Sequence, residues 1–373
     1  MLRVSYFAPA HDALRRCLYI RPFVQVVWEA LVAAFLGFLR DLPPSAADYV
    51  EELFIDGPII PGCSSALAIP LSLISESLQR FRRLRVLCTQ RISFGHNEQE
   101  DAAGTPCIPT YPLERLALYI AKADALHVLR ITPDVKDLAW DLDCDDTSPA
   151  TLRLVETLAE SRFGHALERL EVPRETNVAL LLRLVRAITS KRPLPSLAHL
   201  KLDLPVQQMP WDPQYPSRTA QQISGILACV GATLHSLTLE VTAERTWGDR
   251  EICGRLGLWQ CGALRELRLE LSGGPWYHTI LSHAHLLLED VLSPANTQAN
   301  KVTFIIDLYE DLQLYDAAQR VYREFDTKAI GYLARGLCAV RLMQDGRSVD
   351  TEWRKVMTQI FPALHRAGAL EFA

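Results

Sequence analysis

The stretch "GALRELRLELSGG" at residues 262–274 alternates leucine with charged residues. Leucines stand at 264, 267, 269 and 271, and Arg268 and Glu270 separate the last three. Since successive side chains of a β-strand point to opposite faces, this alternation predicts a strand with one apolar and one charged face. The leucines follow the frame L-x-x-L-x-L.

The same frame returns along the chain. Clear copies begin at residues 126, 167, 197, 234 and 337, weaker copies begin at 50, 84 and 367, and a plain alternating strand starts at 302. Neighbouring first positions are 30 to 42 residues apart. A similar frame at residue 113, in "YPLERLALYIAKA", is interpreted as a helix, because it runs without a break into the copy at residue 126.

Helix signals lie between the predicted strands. Ser148 followed by Pro149 is typical of a helix start, since serine caps the helix and proline fits its first position. Asn177 precedes an apolar stripe at residues 180, 181, 184 and 188, and Gly231 suits a helix terminus. Repeated strand, loop and helix units predict an α/β leucine-rich-repeat solenoid with irregular repeats, a parallel concave sheet and helices on the convex side.

A doubly wound α/β domain is the alternative architecture, because it also alternates strands and helices. Its buried strands would be apolar on both faces. Charged residues on one face of the predicted strands favour the solenoid instead. These residues are Arg130, Glu171, Lys201, Asp203, Glu240, Arg268, Glu270 and Arg341.

The chain is predicted to have two parts, an N-terminal helical cap over residues 1–48 and the irregular repeat domain over residues 49–373. The main helix of the cap is expected within residues 12–42. Its apolar face would cover the first repeat strand, because an open solenoid end exposes its core. That face includes Val27, Leu31, Ala34, Phe35 and Phe38.

Net charge and basic clusters bear on the class of partner. The 373 residues carry a net charge of −5 without a basic block, which argues against a nucleic-acid partner, since phosphate binding needs clustered cations. Arg82, Arg83 and Arg85 form one small cluster, and Lys191 and Arg192 form another. We interpret both clusters as helix ends or solvated faces rather than as a groove.

Apolar runs and cysteines indicate the cellular compartment in which the protein is expected. The longest apolar run, residues 26–39, contains Glu29 and is too short to span a bilayer, so no membrane partner is expected. Nine cysteines without metal-site spacing are typical of reduced core residues. These observations predict a cytoplasmic or nuclear protein.

No sequence pattern indicates catalysis. Phosphate-loop, dinucleotide, metalloprotease and nucleophile-elbow motifs are missing from the sequence. His283 and His285 diverge by about 200° on a helix, which argues against a zinc site with His278. The acidic run at residues 141–146 lacks the glycine and glutamate of a calcium loop. We therefore expect no catalytic residue, no metal and no cofactor.

Residues 13–57, "ALRRCLYIRPFVQVVWEALVAAFLGFLRDLPPSAADYVEELFIDG", resemble the segment after the F-box in fungal F-box and leucine-rich-repeat proteins. In that family the F-box binds a Skp adaptor of a cullin-type ubiquitin ligase, and the repeats hold the substrate. The resemblance implies a substrate-recognition role here. No F-box segment is recognisable, so Skp adaptor and cullin are expected partners only if an F-box lies upstream.

Three functional hypotheses follow. The leading one is a non-enzymatic protein-interaction scaffold whose partner is unidentified, resembling the substrate receptor of such a ligase. The second is a repeat-only structural or vestigial protein without a ligase link. The third is an enzyme that uses the loops between repeats.

Four tryptophans suggest where a partner binds. Each follows a predicted strand, in a loop rich in proline, glycine or acidic residues, and segments leaving parallel strands emerge along one edge. Each tryptophan either anchors its own loop or joins an aromatic rim, and aromatic residues dominate interface hot spots. The predicted partner-binding residues are Trp140, Trp211, Tyr215, Trp247, Trp276 and Tyr277 on the rim, and Arg130, Lys201, Arg268 and Glu270 on the concave face.

Overall fold

The chain divides into two compact units, unit 1 (Met1–Leu197) and unit 2 (Ala198–Ala373). The predicted boundary after residue 48 stays a prediction. The structure is a computed structural model, and it describes residues 4–5, 17–20, 37, 41, 43–56, 67–95, 110–121, 123–142, 148–172, 178–205, 215–242, 256–272, 285, 288–289, 291–293, 301–308, 316–344 and 350–372.

Unit 1 alternates strands with short helices. Its strands are β1 (Val4–Ser5), β2 (Cys17–Ile20), β3 (Glu52–Asp56), β4 (Leu67–Pro70), β5 (Val86–Gln90), β6 (Ile92–Gly95), β7 (Arg115–Ala121), β8 (Asp137–Leu142) and β9 (Arg169–Val172). Its helices are α1 (Pro44–Ala47), α2 (Leu71–Leu78), α3 (Val128–Ile131), α4 (Pro149–Glu160) and α5 (Val178–Lys191), and a 3-10 turn, Ala123–His127, precedes α3.

Most strands of unit 1 form one sheet in the order β1-β2-β3-β5-β7-β8-β9. Strands β1 and β2 pair antiparallel, whereas the pairs from β2 to β9 are parallel. Strands β4 and β6 form a separate parallel pair. Arg91 links β5 to β6 with a left-handed backbone, φ 57°, and its guanidinium donates to the Asp56 carboxylate.

Unit 2 is more regular. Its strands β10 (His199–Pro205), β11 (Ser236–Thr242), β12 (Glu266–Ser272), β13 (Lys301–Leu308), β14 (Leu337–Gln344) and β15 (Leu370–Phe372) are parallel and adjacent in chain order. Its helices are α6 (Tyr215–Val230), α7 (Asp316–Leu333), α8 (Thr351–Ile360) and α9 (Pro362–Arg366), with a 3-10 turn at Leu258–Gln260.

The strand order identifies a repeat architecture. A doubly wound sheet reverses its strand order at a switch point, whereas the parallel strands of each unit follow one another in chain order. Each repeat therefore pairs with the repeats before and after it. The predicted α/β class, with parallel strands alternating with helices as in a solenoid, is confirmed.

The leucine frame works as predicted in β12. Leu267, Leu269 and Leu271 are buried, and Arg268 and Glu270 between them remain partly exposed. Strand β13 is different, because it is buried on both faces. The alternation therefore holds in β3, β5 and β12, but not in β13, nor in β7 and β8, where Ala117 and Ala139 are also buried.

Two segments of unit 1 do not follow the predictions. The segment at residue 113 was predicted to be a helix but contains β7, and Leu113, Leu116 and Leu118 occupy the buried positions of a strand frame. The copy at residue 126 was predicted to be a strand but forms the 3-10 turn and α3. Sheet pairing of β7 with β5 and β8 overrides the helix preference of its alanines and leucines.

The predicted N-terminal helical cap is not supported. Residues 17–20 form β2, which pairs with β3, where a helix was expected. Gly37 and Asp41 are helical, but the apolar positions predicted for the cap lie outside the described residues. Those positions are Val27, Leu31, Ala34, Phe35 and Phe38.

Helix ends agree with their sequence signals. The Ser148 side chain accepts a hydrogen bond from the Thr151 amide at 3.2 Å, and Pro149 begins α4, as predicted. Gly231 follows the last residue of α6, and a Cβ there would lie 2.7 Å from the backbone oxygens of Leu227 and Gln260. Only glycine avoids that overlap. Asn177 lies outside the described residues.

A buried carboxylate joins two helices of unit 2. Asp326 on α7 is 3% exposed, and its two oxygens accept hydrogen bonds from the amides of Ala363 and Leu364 at 2.8 and 2.9 Å. It thereby caps the start of α9, whose first amides have no partner within the helix. Of the helices that the structure describes, none has the length and apolar composition needed to cross a membrane.

Candidate partner-binding faces of the two sheets

The face of the unit 2 sheet opposite its buried leucines is called here the open face of unit 2. Asp203 on β10 is in register with Glu240 on β11, which is in register with Glu270 on β12. Neighbouring strands lie about 4.8 Å apart, so the three carboxylates form one short line across the sheet. We call these three residues the acidic row.

One lysine, Lys201, pairs with two carboxylates of the acidic row. The Nζ of Lys201 lies 3.4 Å from the Glu240 carboxylate and 3.1 Å from that of Glu270. Reaching Glu270 takes the side chain from β10 across β11 to β12. The Lys201 side chain is 32% exposed, and those of Glu240 and Glu270 are 21% and 27% exposed, so the group is accessible to a partner.

A second cluster lies at the beginning of β12. The Glu266 carboxylate lies 3.2 Å from Nε of Arg268 and 3.5 Å from Nζ of Lys301. Burial raises the pKa of the Glu266 carboxyl, but the two cations outweigh burial and leave this pKa below its ordinary value of 4.5. Glu266 therefore stays ionised in weakly acidic solution.

The last two strands add an ion pair in which one carboxylate oxygen accepts two hydrogen bonds. Arg341 on β14 donates to one oxygen of Glu371 on β15 from Nε and Nη2, at 3.1 and 2.7 Å. Between this pair and the acidic row lies β13, where Thr303 and Ile305 are 5% and 6% exposed. The open face of unit 2 thus carries charged clusters on both sides of a covered, less polar strand.

The corresponding face of the unit 1 sheet, the open face of unit 1, is built around Arg115. This residue on β7 hydrogen-bonds Tyr119 on the same strand and lies 3.9 Å from the Glu171 carboxylate on β9. Burial lowers the pKa of the Arg115 guanidinium, but Asp137, Tyr119 and Glu171 outweigh it and leave the pKa above its ordinary value. Arg115 therefore remains a permanent cation.

Small residues occupy the middle of this face. Ala117 on β7 and Ala139 on β8 are in register with each other and are 2% and 0% exposed. Cys88 on β5 is in register with Ala117, and burial raises the pKa of its thiol to about 11. A thiol with so high a pKa is almost wholly protonated at neutral pH and is a weak nucleophile.

Three of the predicted partner-binding residues lie on the open face of unit 2. These are Lys201, Arg268 and Glu270, and each takes part in the ion pairs given above. Glu240, which completes the Lys201 group, was not predicted as a site residue. Its charge and alternation were visible in the sequence, but its contact with Lys201 depends on the register of two strands.

Two predicted partner-binding residues lie elsewhere. Trp140 was predicted in a rim loop but belongs to β8, where it is 1% exposed among the buried positions of the strand. Arg130 was predicted on a strand but lies in α3 and is half-buried. Both corrections have one cause, the misassignment of residues 113–142.

The remaining rim residues are not located by the structure. Tyr215 is the first residue of α6, and its side chain is outside the description. The proposed alignment of aromatic side chains along one rim therefore stays a prediction. The rim residues outside the described ranges are Trp211, Trp247, Trp276 and Tyr277.

The candidate metal ligands do not form a site in the part of the chain that the structure describes. No group of three or more histidine, cysteine or acidic side chains there is arranged to hold a metal ion. His285 is described, and its carbonyl accepts a hydrogen bond from the Tyr332 hydroxyl at 3.0 Å. His278, His283 and residues 143–147 of the acidic run lie outside the described ranges.

The chemistry available on both open faces is that of ion pairing. Guanidinium, ammonium and carboxylate groups lie within 4 Å of one another, and the thiol of Cys88 is held in its protonated form. Such a surface can recognise complementary charge on another molecule. A scan against models of known protein families and a search of curated proteins find no match to this chain.

Proposed function

We propose that this chain is a non-enzymatic protein-interaction module and that the open face of unit 2 is its main binding surface. The observation that carries the proposal is the acidic row, in which carboxylates stand in register on three adjacent strands and two of them lie within 4 Å of the Lys201 ammonium group. A surface of parallel strands offers such a row without needing a pocket.

The charge balance of the acidic row defines the chemistry of the partner. Carboxylates in register on three adjacent strands favour a protein segment that carries lysine or arginine side chains. Partner cations can pair with Asp203, Glu240 and Glu270 at a spacing near that of the strands, about 4.8 Å. Charge complementarity of this kind contributes mainly to specificity and association rate.

A finer proposal concerns the repeat family and the cellular role. We infer that the repeats are of the leucine-rich type, with the sheet on the concave side, and that the chain resembles the substrate-recognition part of an F-box receptor of a cullin-type ubiquitin ligase. The leucine frame and the resemblance of residues 13–57 support this proposal. It implies an intracellular location and an indirect link to the Skp adaptor and cullin.

The experiment that tests the binding surface is quantitative affinity capture with matched variants. Glu240→Lys with Glu270→Lys reverses the acidic row. Glu324→Lys with Glu352→Lys is the control, since these exposed helical glutamates of unit 2 also pair with lysines, at 2.9 and 2.7 Å. A genuine partner is retained by wild type and by the control and is lost with the acidic-row variant.

A second experiment changes the charge of the captured protein and measures its binding to wild type and to the acidic-row variant. Reversal of its lysines or arginines should abolish binding to wild type and restore binding to the acidic-row variant. If every captured protein binds both variants equally, the open face of unit 2 is not the binding surface. Copurification of the Skp adaptor and cullin, with and without the sequence encoded upstream, tests the ligase link separately.

A further inference from the structure

A basic cluster in unit 1 lines a cavity on the structure. Arg82, Arg83 and Arg85 were interpreted as a helix end or a solvated face rather than as a groove, but all three border a cavity of about 340 Å³. Glu51 and Arg85, which immediately precede β3 and β5, also line it. The cavity therefore lies where the strands begin and involves none of the residues of the acidic row.

The wall of this cavity is apolar. Leu78, Phe81, Leu84 and Leu113 line it and are 1%, 4%, 8% and 3% exposed, respectively. Tyr111 also lines it, and its hydroxyl donates a hydrogen bond to the Ser75 carbonyl at 2.9 Å. Because these side chains are fixed by packing and by that hydrogen bond, the cavity is preformed.

The rim of the cavity has more positive than negative charge, because three arginines and one carboxylate, that of Glu51, line it. Arg85 pairs with Glu114 at 2.6 Å, so its charge is largely balanced. Arg82 and Arg83 are exposed, and neither has an ion-pair or hydrogen-bond partner within the described ranges. Two cations next to an apolar cavity can bind a ligand that has both an anionic and an apolar part.

We propose that this cavity binds a short acidic segment of a partner protein, with carboxylates paired to Arg82 and Arg83 and a neighbouring large apolar side chain inside the cavity. Its volume is near the lower end of the range of about 300–1000 Å³ for ligand sites, which suits one side chain and its flanks. Two arginines cannot neutralise an extended run of phosphates, and the chain as a whole is acidic, so a nucleic acid fits less well.

The test measures fluorescence anisotropy of a labelled peptide of alternating glutamate and phenylalanine residues, titrated with the full chain. Arg82→Glu with Arg83→Glu should weaken binding at least about tenfold, because attraction becomes repulsion at both positions. Arg153→Glu with Arg186→Glu is the control. It makes the same charge change at two exposed helical arginines of unit 1 and should alter binding less than about twofold.

A second variant distinguishes the contribution of the cavity's shape to peptide binding from the contribution of its charge. Gln79→Trp places a bulky side chain at the exposed lining position of the cavity and should weaken binding without changing any charge. A peptide in which glutamine replaces glutamate should bind at least about tenfold more weakly than the acidic peptide. The Gln79→Trp variant is expected to keep the melting temperature of wild type, since position 79 is exposed.

Three results would overturn the proposal. The first is equal binding of the acidic peptide by wild type and by the doubly reversed arginine variant. The second is an equal loss in the control variant, which would indicate a nonspecific charge effect. The third is displacement of the peptide by a single-stranded oligonucleotide or inorganic phosphate at lower concentration than by unlabelled peptide, which would make the cavity a phosphate site.

Discussion

Arg115 in unit 1 and Lys201 in unit 2 make the same kind of contact on different surfaces. Each long cation crosses one strand to reach a carboxylate two strands away, Glu171 at 3.9 Å in unit 1 and Glu270 at 3.1 Å in unit 2. In unit 1 the row of the sheet that holds Glu171 also holds Ala117 and Ala139, which are 2% and 0% exposed. In unit 2 the row that holds Glu270 also holds Asp203 and Glu240, so carboxylates take the places of the two alanines.

The two rows differ in the charge that they present. Arg115 is already engaged by Asp137, Tyr119 and Glu171, and the row next to it holds two buried alanines and the carboxylate of Glu171. The row next to Lys201 holds three carboxylates. Under the proposed function, a cationic partner would meet this acidic row on unit 2, whereas the corresponding row of unit 1 offers it the single carboxylate of Glu171.

The largest expected effect concerns what the two units share, their leucine cores. Leu267→Ala in unit 2 and Leu116→Ala in unit 1 should each lower the free energy of unfolding by about 2–5 kcal/mol, because both leucines are 0% exposed and leave a cavity. Urea titration followed by circular dichroism measures this loss. A loss below about 0.5 kcal/mol, as at exposed sites, would show that the strand frame is misassigned.

The next effect compares one helix cap in each unit. Asp326→Ala removes a buried carboxylate that accepts two amide hydrogen bonds, so it should destabilise unit 2 by about 2–3 kcal/mol. Ser148→Ala removes an uncharged cap of α4 and should cost about 1 kcal/mol. Thermal unfolding of both variants gives the order, and a larger loss for the serine variant would contradict it.

Enlarging one side chain on each open face tests whether the two faces differ in how tightly they are packed. Ala139→Leu should cost about 1–3 kcal/mol, because the added atoms have no room beside the Arg115 and Glu171 pair. Thr238→Leu on β11 should change stability by less than about 0.5 kcal/mol, because Thr238 is partly exposed. Equal losses in chemical denaturation would show that the two faces are packed alike.

Charge reversal on the open face of unit 2 should have little effect on folding. Arg268→Glu or Glu270→Lys is expected to cost less than about 0.5 kcal/mol each, since partly exposed ion pairs contribute little to stability. Differential scanning calorimetry at low and physiological salt measures both variants. Cooperative unfolding at a much lower temperature would mean that these pairs hold the sheet together.

The smallest effect is a pH dependence. The pKa of Glu266 is lowered in the folded protein, so its stabilising contribution is present above its ordinary pKa of 4.5 and is lost as pH falls through the folded value. Glu266→Gln should therefore make stability fall less steeply below pH 4.5. Glu114→Gln in unit 1 should act in the same direction, because a hydrogen bond from Arg85 lowers the pKa of that carboxyl. Melting temperatures between pH 6 and 3 that match those of wild type would contradict both.

The sequence predicted those strands in which leucine fills the repeat frame. It missed β8 because Val135 and Trp140 stand at the first and third frame positions, although both are buried as leucines would be. It took β7 for a helix because the frame at residue 113 runs without a break into the copy at residue 126, and only pairing with neighbouring strands decides the outcome. The leucine frame at residue 113 belongs to a strand, but it was interpreted as part of a helix.

The candidate site was predictable only in part. Alternation alone predicted that Lys201, Arg268 and Glu270 lie on a charged face. The pairing of Lys201 with Glu240 and Glu270 depends on the register among three strands, which a single strand's sequence does not contain. The cavity beside Arg82 and Arg83 was missed for a similar reason, since its wall comes from segments that meet only in the folded chain.

Asp326 also bears on how the last repeat would respond to mechanical force. A repeat array under tension is expected to come apart one repeat at a time, because each repeat contacts only its neighbours. Asp326 binds the start of α9 from α7, and α9 leads into β15, which pairs with β14. A pull on β15 would therefore load a buried, charged hydrogen-bond pair before α9 could detach, so the end of unit 2 should yield in one abrupt step at higher force than a strand held by its edge alone.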